Sequence, residues 1–206
     1  MASIAAGSLL GRGPPRAGLL DRTRRIAYVT GMLKPILIHP DPRLRKVCEP
    51  VESVGAAERR LLDDMLETMY DAPGIGLAAP QVGVLSRLLV VDCTSREEEQ
   101  APRPLCLVNP EITWASEETG EYEEGCLSIP DIYANVVRPV AVRVRFLDRA
   151  GTERERDFEG IWSTCVQHEI DHLNGKLFID YLSPVRRQMI TQKMKKLKRE
   201  RARKAG

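Results

Sequence analysis

The residues that most restrict the fold are Gln167-His168-Glu169-Ile170-Asp171-His172, an H-E-x-x-H motif inside a stretch, Phe158 to Leu173, whose apolar spacing predicts a helix. At about 100° per residue, positions four apart differ by about 40° around the axis, so His168 and His172 present their imidazoles on one face, one turn apart. Two ligands for one metal ion are thereby preset, and whatever fold forms must carry further donors to this helix. Glu169 is too close in sequence to serve comfortably as a third ligand on that face, but it can hold a water at the ion and take its proton, which makes it a candidate general base. A plainer reading stays open: two histidines four apart can be helix decoration, and so short a pattern also arises by chance.

A catalytic metal site normally has three protein ligands and one open position. His39 is the remaining histidine and sits beside Pro40 in an N-terminal turn. Cys126 in Glu124-Gly125-Cys126-Leu127-Ser128 stands out, because Gly125 permits close backbone approach, while Cys93, Cys106 and Cys165 lie in apolar runs and read as core. A metal explains a thiol there better than packing does, since it holds the sulfur as thiolate. Without the histidine motif, an inert half-buried thiol would be the better reading. The five cysteines are odd in number and include no CxxC pair, which argues against a disulfide framework and for a reducing compartment.

With 206 residues, 43% hydrophobic and 29% charged, the chain is expected to fold as one core domain with tails. No run approaches the roughly 18 to 20 apolar residues of a membrane-spanning helix, so a soluble protein is expected. The net charge of +2 is unevenly spread: residues 186–206 carry ten Lys/Arg against Glu200 alone, residues 1–31 five Arg against Asp21, and residues 32–185 sum to −11. Residues 1–31 read as an appendage. They fit an organellar transit peptide, a disordered bacterial extension, or an upstream start preceding Met32, and fit a secretory signal poorly.

From Glu58 to Tyr70, apolar Leu61, Leu62, Met65, Leu66 and Met69 predict an amphipathic helix, ended before Pro73. A glycine-rich loop follows from Gly74 to Gln81. Strands are expected at Leu88 to Val91, Leu105 to Val108, Ile112 to Trp114 and along Val140, Val142, Val144 and Phe146, with a hairpin tip at Asp148-Arg149-Ala150-Gly151. Asn174-Gly175 stops the histidine-bearing helix. The expectation is an α+β fold, short antiparallel strands packed around a central metal-binding helix.

The sequence resembles peptide deformylases. Their three signature stretches stand here complete and in order: G-x-G-x-A-A-x-Q at Gly74 to Gln81, E-G-C-[LV]-S at Glu124 to Ser128, and Q-H-E-x-D-H at Gln167 to His172. The likeness covers about residues 32–185, the expected catalytic domain, and Ile132-Tyr133 resembles one subgroup. It implies that Cys126, His168 and His172 hold one divalent ion, Fe(II) in many members with Zn, Ni or Co also able to bind; the donor set does not choose among them. The activity implied is removal of the formyl group from the formyl-methionine of newly made polypeptides by a metal-activated water. Glu169 is then general acid and base, and Gln81 and the Leu127 N–H stabilise the oxyanion. Gly74, Gly76 and Gly125 would let backbone approach the substrate, Ile75, Ile161 and Cys165 would line the methionine pocket, and Asp171 and Glu124 would orient ligands.

Two other functions share part of this pattern. A zinc endopeptidase would want a downstream ligand and a secretory or pro-region, and a nucleic-acid-binding protein with a structural metal would close the shell with four ligands and have no use for Glu169. Formate release separates all three. The chain is expected to act as a monomer in a bacterial cytoplasm, or in a mitochondrion or plastid if residues 1–31 are a transit peptide. The basic tail, residues 186–206, predicts a helix over Gln188 to Lys204, either merely solvated or docking on ribosomal RNA. Its deletion is expected to spare hydrolysis of a free tripeptide.

Overall fold

Strand β2 (Leu88–Val91) is four apolar residues buried on both faces, and that run sets the layering of the fold. The computed structural model describes residues 31–94 and 101–205; apart from Gly31, the N-terminal appendage lies outside them. Helix α1 (Ala56–Asp71) lays Leu62, Met65, Leu66 and Met69 against Leu88 and Val90 on one side of β2. On the other side, Leu89 and Val91 meet Val166, Ile170 and Leu173 of helix α2 (Gly160–Leu173). Side chains that alternate in direction along one strand thus hold two helices to opposite faces.

The sheet is antiparallel throughout, in the order β1 (Gly76–Ala78), β2, β3 (Leu105–Ala115), β6 (Ala141–Leu147), β7 (Glu153–Glu159). Strands β4 (Thr119–Cys126) and β5 (Ile129–Pro139) form a separate hairpin. The expected α+β architecture around the histidine-bearing helix is therefore present. Two boundaries differ: Phe158 belongs to β7 rather than to α2, and the glycine-rich loop contains β1 and a 3₁₀ turn over Ala79–Val82. The β4–β5 hairpin was not legible as strands.

Helix α3 (Pro184–Ala205) contains the basic residues and is longer than the sequence pattern suggested. Its Ile190 and Met194 are buried with Leu44, Ile129 and Phe178, so the first half of the helix belongs to the core. Deleting residues 186–206 would uncover that cluster, which makes such a truncation a poor probe of what the charges do.

Candidate metal centre

The hairpin delivers its thiol through a change of register. Gly125 pairs with Tyr133 but Cys126 with Ile129, and this irregularity turns Cys126 toward α2. Cys126 Sγ lies 3.3 Å from His172 Nε2, and one ligand atom from each of Cys126, His168 and His172 falls within 4.8 Å of the other two. Donors about 2.0–2.3 Å from a single tetrahedral ion stand about 3.3–3.8 Å apart, so modest closing of this trio makes a first-row metal site with a fourth position open. Both histidines are buried, His168 at 8% and His172 at 1% exposure, so their ring nitrogens are held away from water beside the thiol. His172 Nδ1 has no hydrogen-bond partner among the described residues. The residues present fit the ion.

The surrounding polar groups fix the orientation of the donors. His168 Nδ1 and Glu124 Oε2 are 2.8 Å apart, which leaves Nε2 for the ion. Glu124 is gripped by Arg138, Nε to Oε1 at 2.5 Å and Nη2 to Oε2 at 3.0 Å, and Arg138 Nη1 donates to Asp171 Oδ2 at 2.8 Å. Tyr181 donates to the same Asp171 oxygen at 2.9 Å. Burial alone would raise the Glu124 carboxyl, but its bonds to His168 and Arg138 prevail and hold it below its ordinary range. Burial would likewise lower His168, yet the hydrogen bonds to Cys126 and Glu124 carry it well above its usual value, whereas burial and the His168 charge push His172 well below. The Asp171 carboxylate accepts from Arg138 and Tyr181 and so braces Arg138.

Arg138 was not anticipated. On β5 the buried positions Ala134, Val136 and Arg138 fall on one face, so the available signal was an arginine in phase with inward-facing apolar residues. An arginine there has to find buried carboxylates.

Glu169, at 4% exposure, has its Oε2 without a hydrogen-bond partner among the described residues, and burial pushes its carboxyl up to about 7. A carboxylate with such a pKa can accept a proton near neutral pH and return it. Its closest neighbour in β1 is Gly76, where a Cβ would overlap the Glu169 carboxylate and stand 2.8 Å from Cys165 Sγ. The missing side chain of Gly76 therefore makes room for Glu169.

Gln81 sits at the end of the glycine-rich stretch with its Oε1 accepting from Ala78 N–H at 2.7 Å. That bond sets the amide so that Nε2 donates to Ser128 Oγ at 3.2 Å and toward Cys126 Sγ at 3.6 Å. Leu127 follows Cys126 in the turn, its side chain against Gly74.

These groups open on a cavity of about 410 Å³ lined by Gly74, Ile75, Gly76, Gln81, Gly125, Cys126, Leu127, His168 and Glu169, with Ile161 and Cys165 on its apolar side. Every residue expected in the site borders this cavity except Asp171 and His172, and His172 Nε2 is within 3.3 Å of the cavity-lining Cys126 Sγ. Tyr122, Ile132, Tyr133 and Thr164 add to the wall. His39 is elsewhere, under α3 with Nε2 3.0 Å from Thr191 Oγ1.

The comparisons with known proteins agree. A family model described as polypeptide deformylase matches residues 33–188. A peptide deformylase of Rhizobium meliloti is 56% identical over 173 residues, 84% of this chain and 98% of that protein. The solved peptide deformylase of Ehrlichia chaffeensis superposes with a TM-score of 0.78 at 40% identity, covering 84% of this chain and 99% of that one. A class I type b enzyme of Acinetobacter baumannii, solved with Met-Ala-Ser bound, gives a TM-score of 0.69 at 35% identity over 74% of this chain and 99% of its own.

Proposed function

Since the chain belongs to the polypeptide deformylase family, we propose that it removes the N-terminal formyl group from formyl-methionyl ends of newly made polypeptides, with Glu169 moving the proton. The observation that carries this reading is the convergence of Cys126, His168 and His172 beside a buried, raised-pKa glutamate at the mouth of an apolar cavity. Cys126, His168 and His172 would hold a divalent ion, which when bound would supply Lewis acidity for hydrolysis near neutral pH. Fe(II) is the proposed ion in the cell, with Zn, Ni or Co as substitutes; the thiolate-imidazole set accepts all of them.

The residues divide the remaining work. Glu169 takes the proton of the attacking water and hands it to the amine that leaves, for which a pKa about 7 is well placed. Gln81 Nε2 and the Leu127 N–H steady the oxygen of the formyl group as it gains charge. Ile161 and Cys165 receive the methionine side chain, while Gly74, Ile75 and Gly125 let the peptide backbone lie close. Formate and a free methionyl amine are the products.

The basic half of α3 is proposed to hold the protein near ribosomal RNA, where its substrate emerges. Lys195, Lys196, Lys198, Arg199, Arg201 and Arg203 supply the charge. Support comes from the contrast between this segment and an acidic body, and bacterial relatives favour the cytoplasm as its place of work. No helix among the described residues is long and apolar enough to cross a membrane. We retain the reading of a monomer with residues 32–185 as its catalytic part.

The test is formate release from a formyl-methionyl tripeptide by protein purified without oxygen, with metal counted on the same sample. One metal per chain and formate released in step with peptide supports the function; metal-loaded protein that releases none refutes it.

A further inference from the structure

A second cleft, of about 360 Å³, lies next to the cavity of the metal centre. Leu127 and Pro130 line both. The two are also continuous along the chain after α1, since Ala72 lines the second cleft and Pro73 and Gly74 line the first. One ridge and one stretch of backbone therefore separate, and join, two open concavities.

The second cleft has a definite chemistry. Leu33, Ile36 and Ile38 give it an apolar wall, Thr68 and Asp71 border it at the end of α1, and Arg201 reaches it from α3. Leu33 is 56% exposed, so this part of the wall faces solvent and is open to a ligand. Lys34 beside it is tied to Asp64 at 2.9 Å and through its backbone N–H to Thr68 Oγ1 at 2.9 Å, so the wall is anchored to α1. A preformed apolar cleft next to a site for a peptide end suits the side chains farther along the same peptide.

We propose that this cleft is a second binding site for the substrate, taking an apolar side chain of the formyl-methionyl polypeptide beyond its third residue as the chain leaves across Leu127 and Pro130. The inference rests on the function proposed above, and it names the substrate as an extended polypeptide rather than a short peptide end. A contact made equally in the ground and transition states, as this one is proposed to be, lowers KM and leaves kcat alone.

The experiment compares formyl-Met-Ala-Ser with eight-residue formyl-methionyl peptides of Ser and Gly carrying one Leu, moved from position 4 to position 7. For at least one position of the Leu, KM should fall about tenfold relative to the tripeptide, the yield of partly burying one such side chain, with kcat unchanged. Leu33→Asp, an exposed change, should remove that gain and keep the constants for formyl-Met-Ala-Ser. A KM independent of length and of Leu position overturns the second site, as does a Leu33→Asp variant that weakens short and long peptides alike. If residues 1–31 of this chain filled the cleft instead, a protein starting at Met32 would show a length dependence that the full chain lacks, and that result also overturns it. No formate from any peptide would refute the deformylase function itself, and the second site with it.

Discussion

Glu124 and Arg138 form a two-point ion pair, 2.5 and 3.0 Å, with both side chains 4% exposed, and the carboxylate so held meets His168 Nδ1 at 2.8 Å. The pair makes Arg138 a positioning residue for a metal ligand. Arg138→Met removes the cation but leaves the Glu124 carboxylate buried, and stability should fall by about 3 to 5 kcal/mol in urea unfolding. Metal affinity, read by competition with a chelator, should fall about 10- to 100-fold because His168 loses its fixed orientation. Arg138→Lys restores charge without the fork and should recover stability more than affinity. Unchanged chelator competition in the Met variant would show that the pair does not orient the ligand.

Gly76 and Glu169 compete for one space, as the overlap of a Cβ with the carboxylate shows. Gly76→Ala should keep one metal per chain while turnover falls, because the displaced part is Glu169 and none of the three ligands. The check is metal content beside kcat; full activity in the Ala variant would mean that the carboxylate can sit elsewhere.

Gln81→Leu removes an amide donor that its bond to Ala78 aims at the site. For one such donor the expected loss is about 10² to 10³ in kcat with little change in KM. Weakened binding with normal turnover would assign Gln81 to ground-state recognition.

The His39 ring lies under α3 and does not line the cavity. Burial first, and then the Arg45 charge, lower its pKa from 6.5 to about 4. Between those values the unfolded chain takes up a proton that the folded protein refuses, so stability falls as pH drops through the window from 6.5 to about 4 and the loss levels off below it. His39→Gln keeps a partner for Thr191 but does not titrate. Urea midpoints from pH 7 to pH 4 should decline more steeply for the native protein than for the variant; parallel curves would place the acid sensitivity elsewhere.

The sequence made some of this plain and hid the rest for definite reasons. Helix α1 was legible because Leu62, Met65, Leu66 and Met69 repeat with the period of a single buried face. The converging donors were legible because His168 and His172 need only a helix to face one way, and Cys126 was marked by its glycine. Strand β7 was implied only by the hairpin tip at Asp148-Gly151 and its extent was hidden, since only Phe158 of its seven residues is buried and the others are charged and exposed. Gly160, at φ 56°, then breaks the chain between β7 and α2, so Phe158 falls on the strand side of a helical-looking pattern. In β4 only Glu124 is buried, so its strand carries no apolar alternation at all. Arg138 escaped because a buried charge is legible only with its partners, which lie 14 and 33 residues away.

The most direct measurement is formate release by Glu169→Gln from a formyl-methionyl tripeptide at matched metal content. The substitution keeps the shape that fits against Gly76 and spares Cys126, His168 and His172, so one metal per chain should remain. Turnover should fall by about 10² or more, since the proton carrier is gone. A metal-loaded variant that turns over like the native protein would contradict the assignment of Glu169 as the group that moves the proton.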